Sequence, residues 1–304
     1  MTRVRQERGQ ALVMSVISLV VVLGMAALVL DVGAWFHQKR QLQATADASA
    51  LAGAQKLPVD PGGASAQALA YANKNGGGVA AADIAVTSGP WTNDTISVKA
   101  QKDGVGFFSR IAGVLSVNIG AKAAARVYVP AQAKGVAPIV VKNTHPLLKG
   151  AGCPCFNSPT TLPLAKDGSP GSFDLINLDN SHGGTGQSIL ADWIIHGYND
   201  YLPLGQYYTD TGAKFNASEV QAALTQRIGT VLMFPVYDII AGSGAGAQYH
   251  VIGWAGFYLT GFTVHGSSGT LSGHFTEYIA QGLMPTGGGG NPPWFGVVSV
   301  QLIK

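Results

Sequence analysis

From Ala11 to Leu30 the chain runs twenty residues without a charge, ALVMSVISLVVVLGMAALVL. A helix rising ~1.5 Å per residue makes that run ~30 Å long, the thickness of a bilayer's hydrocarbon layer. Its only hydroxyl residues are Ser15 and Ser18, and a helix satisfies both by bonding them to its own carbonyls. Core helices of soluble proteins seldom carry so long an uncharged run. A cleaved secretory signal has an apolar region of only ~7–15 residues and a small-residue cleavage site. Here the run passes into Asp31-Val32-Gly33-Ala34-Trp35-Phe36-His37-Gln38-Lys39-Arg40, where Trp35 and Phe36 suit a membrane–water boundary. The sequence therefore predicts a retained transmembrane helix over 11–30, with the lipid bilayer as its first partner.

The net charge is +3, and residues 1–40 hold all of it: Arg3, Arg5, Arg8, Lys39 and Arg40 against Glu7 and Asp31. A nucleic-acid surface needs its basic excess on the folded body, so no nucleic-acid partner is predicted. The basic flank before the run places the N-terminus in the cytoplasm and the body outside. Downstream, residues 41–142 hold nine basic and five acidic residues, and residues 143–304 hold five basic and nine acidic. Those halves read either as complementary surfaces or as two unrelated solvated faces.

Gln38 to Leu57 has no proline and is rich in helix formers, so the helix is expected to continue for about 45 residues, on a ~1.5 Å rise. Ala46, Ala50 and Ala54 recur every four residues, as do Ala44, Ala48 and Ala52. Such a face lets another backbone approach closely, and two occupants fit it: the chain's own sheet or a partner's helix. Asp31 also has two readings, a side chain reaching into the headgroups or a pair with a partner's cation. Pro58, Asp60-Pro61 and Gly62-Gly63 are expected to end the helix.

Arg8-Gly9-Gln10-Ala11, then Asp31-Val32-Gly33, Gln41-Leu42-Gln43 and Ala46-Asp47-Ala48-Ser49-Ala50-Leu51-Ala52-Gly53-Ala54 together resemble the TadG-like N-terminal domain of Flp (Tad) pilus-assembly proteins. A looser likeness continues through Gly106-Phe107-Phe108-Ser109-Arg110-Ile111-Ala112-Gly113 and the strand-like Ser116–Ala123. The resemblance implies a membrane-anchored accessory of a bacterial pilus or secretion machine, with Arg8, Gly9, Gln10, Asp31, Gly33, Ala46, Ala50 and Ala54 serving the anchor and helix packing, and other pilus-assembly or envelope proteins as partners. Two family features are missing. Asp179-Asn180-Ser181-His182-Gly183 lacks the last serine of a von Willebrand A metal motif, and Met14 stands five residues after Gly9, where prepilins carry glutamate.

The predicted fold class is α+β: the long N-terminal transmembrane helix extended beyond the membrane, a small α+β domain over 59–130, a linker over 131–138 and a β-rich extracytoplasmic domain over 139–304. In the small domain, Ala64–Lys74 and Phe107–Ala112 read as helices, and Asp83–Ser88, Thr95–Gln101 and Val114–Val129 as strands. In the β-rich domain, Ser188–His196 and Ser218–Ile228 read as helices, the latter capped by Ser218. Ile139–Val141, Phe173–Leu178, Thr230–Ile240, Tyr249–Val264, Gly269–Tyr278 and Val297–Ile303 read as strands, and Gly287–Pro293 as an exposed loop.

No catalytic constellation emerges, so the chain is read as a non-enzymatic protein without a cofactor. Cys153-Pro154-Cys155 is read as a loop disulfide rather than a redox centre, because no basic pocket is evident to stabilise a thiolate. His274-x-x-Glu277, His250 and His265 lack the convergence that zinc needs. Asp167, Asp174, Asp179, Asp192, Asp200 and Asp210 form no EF pattern. Gly242–Ala247 is a loose glycine motif followed by a strand rather than a helix, hence a hairpin loop. There is no G-x-S-x-G string. A second reading makes 139–304 an adhesive or ligand-binding domain, with Trp193, Tyr198, Tyr201, Tyr207 and Tyr208 lining a groove.

Overall fold

The computed structural model describes residues 4–151, 153–165, 173–182, 184–210, 212–266, 268–283 and 293–303, and for residues 4–9 and 112 the backbone alone. Gly287–Pro292 of the expected loop and Asp167 lie outside the described residues. The chain forms two compact units, residues 1–127 with 300–304 and residues 128–299.

The first unit is built on α1 (Val4–Ala54), a single helix of 51 residues. Between Gln10 and Leu30 nearly every side chain is exposed, and the described residues bury none of the apolar run. Asp31 is buried, and from Leu42 onward the exposure reverses. Leu42, Ala46, Ala50, Ala52 and Ala54 are buried, and so are Thr45 and Ser49. A turn after α1 leads to α2 (Pro61–Lys74), which begins at Pro61 rather than Ala64. Proline suits the first helical position because that amide has no partner inside a helix. The preceding Asp60 caps the start, its carboxylate accepting from Gly63 N–H at 2.8 Å. Ala64, Ala68 and Ala72 of α2 are fully buried.

β1 (Ile84–Thr87), β2 (Thr95–Gly104) and β3 (Val117–Tyr128) follow as an antiparallel meander. Ile96, Val98 and Ala100 alternate along the buried face of β2, and β2 packs on α1. The β1–β2 turn is tied by buried Asp94. Its carboxylate accepts from Gly89 N–H at 2.7 Å, Trp91 N–H at 3.1 Å and the Thr95 hydroxyl at 2.7 Å. Between β2 and β3 lies a loop with a single 3₁₀ turn at Ser109–Ala112, so β3 starts three residues later than the pattern suggests.

The second unit comprises β4 (Gln132–Ala133), β5 (Ile139–Lys142), α3 (Pro146–Lys149), β6 (Pro159–Pro163), β7 (Phe173–Leu175), α4 (Gln187–His196), β8 (Leu202–Pro203), β9 (Gly205–Tyr208), α5 (Ser218–Arg227), β10 (Val231–Ala241), β11 (Gln248–His265), β12 (Ser268–Thr276), β13 (Tyr278–Ile279) and β14 (Gly282–Leu283). Its main sheet runs β6-β12-β11-β10-β5-β7, with β9 also paired to β11. The long β10–β11 hairpin turns through Gly242–Ala247, so the glycine motif is a loop between antiparallel strands. Trp254, Phe234, Phe257, Phe275 and Leu271 lie in the core. From α4, Trp193 and Ile194 join them.

Two local expectations are corrected. Residues 131–138 are packed rather than linking: Ala133, Val136 and Ala137 are buried, and β4 pairs with both β8 and β14. The segment offers small apolar side chains, which burial favours. Ser218 is the first residue of α5, and Ala217 occupies the cap position without a side-chain bond.

Candidate functional site at the end of the apolar helix

Where α1 changes from bare to covered, Asp31 is 1% exposed. Its carboxylate accepts three main-chain hydrogen bonds from the β2–β3 loop: Phe107 N–H at 2.8 Å, Phe108 N–H at 2.9 Å and Ser109 N–H at 2.6 Å. Consecutive amides that open a 3₁₀ turn point the same way and have no partner inside the turn, so they offer a concave anion site. Asp31 fills it. Within this chain, the partners of the aspartate are main-chain amides rather than a cationic side chain.

The loop is shaped for this contact. A Cβ on Gly106 would fall 2.0 Å from Ser109 Oγ and 2.8 Å from Asp31 Oδ2. Gly113 closes the turn with φ +84°, a conformation that glycine adopts without steric cost. The Ser109 hydroxyl donates to the Val114 carbonyl at 3.1 Å, and Val114 N–H returns to Ser109 O at 3.0 Å.

Farther out, polar side chains bolt α1 to its own unit. Gln43 Nε2 donates to Lys122 O at 3.1 Å, and the Thr45 hydroxyl donates to Asn75 O at 2.6 Å. Ala46, Ala50 and Ala54 are fully buried in a helix that packs on α2 and β2. A Cβ on Gly53 would lie 2.7 Å from Ile96 Cδ1 and 2.8 Å from the Ala64 carbonyl oxygen. The chain's own elements occupy this face, so it is not open to a partner's helix. The remaining anchor residues stay apart from Asp31's site. Gly33 is exposed, and a Cβ there meets nothing within 4 Å. Gln10 is exposed near the start of α1, where Arg8 and Gly9 are also helical. Trp35 is half-buried, and its Nε1–H finds no hydrogen-bond partner among the described residues.

In the second unit Cys153 and Cys155 are joined in a disulfide. The expected aromatic groove is divided between core and surface. Trp193 is buried edge-on to Tyr198, with centroids 5.6 Å apart. Tyr207 is also buried and donates to Pro203 O at 2.6 Å. A shallow pocket of about 280 Å³ remains beside Tyr198, Tyr201, Asp179 and Asp200. Burial raises the Tyr198 hydroxyl's pKa, and the carboxylates of Asp200 and Asp179 add to the shift, so it stays a neutral donor.

The acidic residues are engaged separately. Asp174 accepts from Tyr249, Asp210 pairs with Lys214 at 2.7 Å and Asp192 meets His196 at 2.8 Å. His250 bonds Asp238 at 2.7 Å, and His274 stacks on Tyr258. Among the described residues no three His, Cys, Asp or Glu side chains converge as a metal site.

The two segments that meet at Asp31 lie 76–78 residues apart. Sequence reasoning singled out each of them without joining them. The available signal was a lone acid at the end of an apolar run together with a Gly-aromatic-aromatic-Ser turn that begins without a capping side chain.

Residues 9–56 match the model of the family described as "Putative Flp pilus-assembly TadE/G-like". No curated protein and no solved structure matches the chain.

Proposed function

We propose that the chain is a non-enzymatic accessory of a Flp/Tad-type pilus-assembly machine, held in a bacterial inner membrane by residues 11–30 with its N-terminus in the cytoplasm and both folded units outside. The observation that carries this reading is a coincidence of boundaries. The family match, residues 9–56, covers the bare apolar run and ends two residues beyond the end of α1 at Ala54. The matched part is thus a complete mechanical element, a membrane anchor continued into the scaffold of the first unit.

The chemistry is consistent with a positioning role. The carboxylate at the membrane boundary is used up by main-chain amides and so is not held ready for proton transfer. Exposed Gly33, Ala34 and Phe36 of α1, rather than Ala46 or Ala50, offer a surface for another assembly protein. A ligand-binding role for residues 139–304 has two open pockets to rest on, one beside Tyr198 and Tyr201 and one beside Thr161, Thr260 and His274.

Topology is tested by protease treatment of spheroplasts against intact cells. Digestion of both units in spheroplasts alone, with a protected N-terminal fragment, is the expected pattern. Recovery of the intact chain in the aqueous fraction would refute the anchor. The pathway is tested by photo-crosslinking from Gly33 and Phe36 in piliated cells, where adducts with pilus-assembly components are expected and their absence at both positions argues against the role.

A further inference from the structure

The β2–β3 loop presents an apolar surface that the folded chain leaves uncovered. Phe107 is 79% exposed, Ile111 86% and Leu115 71%, and Val105, Phe108 and Val114 are exposed too. In a protein surrounded only by water, such a cluster on one short loop would be a liability. Its position explains it. Asp31 grips the amides of Phe107, Phe108 and Ser109, which fixes the loop at the last turn of the apolar run. The loop then folds back along that run. Phe108 and Ile111 share one groove, of about 730 Å³, with Val20, Leu23 and Leu30. Val20 lies eleven residues before Asp31, so the groove reaches ~16 Å down the helix axis. From Val105 to Leu115 the only charge is Arg110, which is exposed. There is no carboxylate to oppose insertion.

We propose that residues 105–115 form a second membrane contact, a wedge seated at the boundary between headgroups and acyl chains of the outer leaflet. Phe107, Ile111 and Leu115 enter the acyl region, and Arg110 lies level with the lipid phosphates. The occupant of the groove between loop and helix is a lipid acyl chain, because the groove's far wall is the membrane-spanning run itself. The Asp31 latch then has a purpose: it satisfies three main-chain donors at a depth where water is scarce. This inference rests on the membrane-anchor reading above.

The test is nitroxide accessibility in the full-length chain reconstituted into phosphatidylcholine–phosphatidylglycerol bilayers. Both native cysteines are bonded to each other, so single labels go on Val21→Cys, Ile111→Cys and Thr92→Cys, each at an exposed position. The label at 92, in the β1–β2 turn, reports water, and the label at 21 reports the spanning segment. The wedge predicts that the label at 111 has an oxygen-to-nickel accessibility ratio several-fold above that at 92, approaching that at 21. A lipid-like 21 with a water-like 111 overturns the wedge and leaves the anchor standing. A 111 shielded from both reagents means protein covers the loop, which also overturns it. A water-like 21 overturns the anchor itself. Phe107→Cys serves as an independent second reporter, and circular dichroism of each labelled chain confirms that it is folded.

Discussion

The two halves of α1 obey the same helical geometry and opposite rules of burial. Its inner half, Gln10 to Leu30, exposes Leu, Val, Ile and Met. Its outer half, from Asp31 to Ala54, buries mostly Ala, Ser, Thr and one Leu. In water the large apolar side chains would be the ones driven inward. The inversion makes sense when lipid surrounds one half and protein the other. Lipid rewards bulk on the outside, whereas close helix packing rewards small residues that let backbones approach. Asp31 marks the change of solvent, and its three amide donors allow a carboxylate to sit there.

The most damaging change to this contrast is a charge placed in the bare half. Leu19→Arg should cost about 3 kcal/mol of insertion free energy at the centre of the run, read as a rise in the alkali-extractable fraction of the chain. An unchanged fraction would mean that lipid is not the solvent there. Asp31→Ala comes next. It leaves three loop amides without an acceptor, so the midpoint of thermal unfolding in micelles should fall and amide exchange at 107–109 should quicken. Asp31→Asn, which keeps one acceptor oxygen, should fall between Ala and the native residue.

In the covered half, Gly53→Ala pushes a methyl against Ile96 and the Ala64 carbonyl oxygen and should destabilise the first unit by about 1–3 kcal/mol, measured by denaturant titration in micelles. Gly33→Ala sharpens the comparison from the other side. Nothing lies within 4 Å of the added methyl, so the helix should gain about 0.5–1 kcal/mol through lower entropy of the unfolded chain. A loss of stability at Gly33 would reveal a contact that this open position does not predict.

What the sequence disclosed follows from how local each signal is. The apolar run, the continuous helix and the strong β-branched runs such as Val231–Tyr237 and Tyr249–Val264 declare themselves within a few residues. Pro61 is ambiguous in the sequence, because a proline that stops one helix is also a good first residue for the next, and only the Asp60 cap distinguishes the two. The alanine face was legible as a packing surface, but its occupant was not. Ala64, Ala68 and Ala72 carry a matching period, and periodicity alone does not say which faces meet. The Asp31 latch was hidden for a further reason: main-chain amides accept a carboxylate whatever side chains they carry, so the residue identities at 107–109 encode the contact only weakly.

No turn of α1 is broken between Val4 and Ala54, and its last twenty residues are locked into the first unit. Rotation of the spanning segment about its own axis therefore swings that unit through the same angle, and sliding it by one helical pitch lifts the unit by ~5.4 Å. A protein that grips the helix inside the bilayer would thereby choose the compass bearing of everything the first unit displays, without touching it.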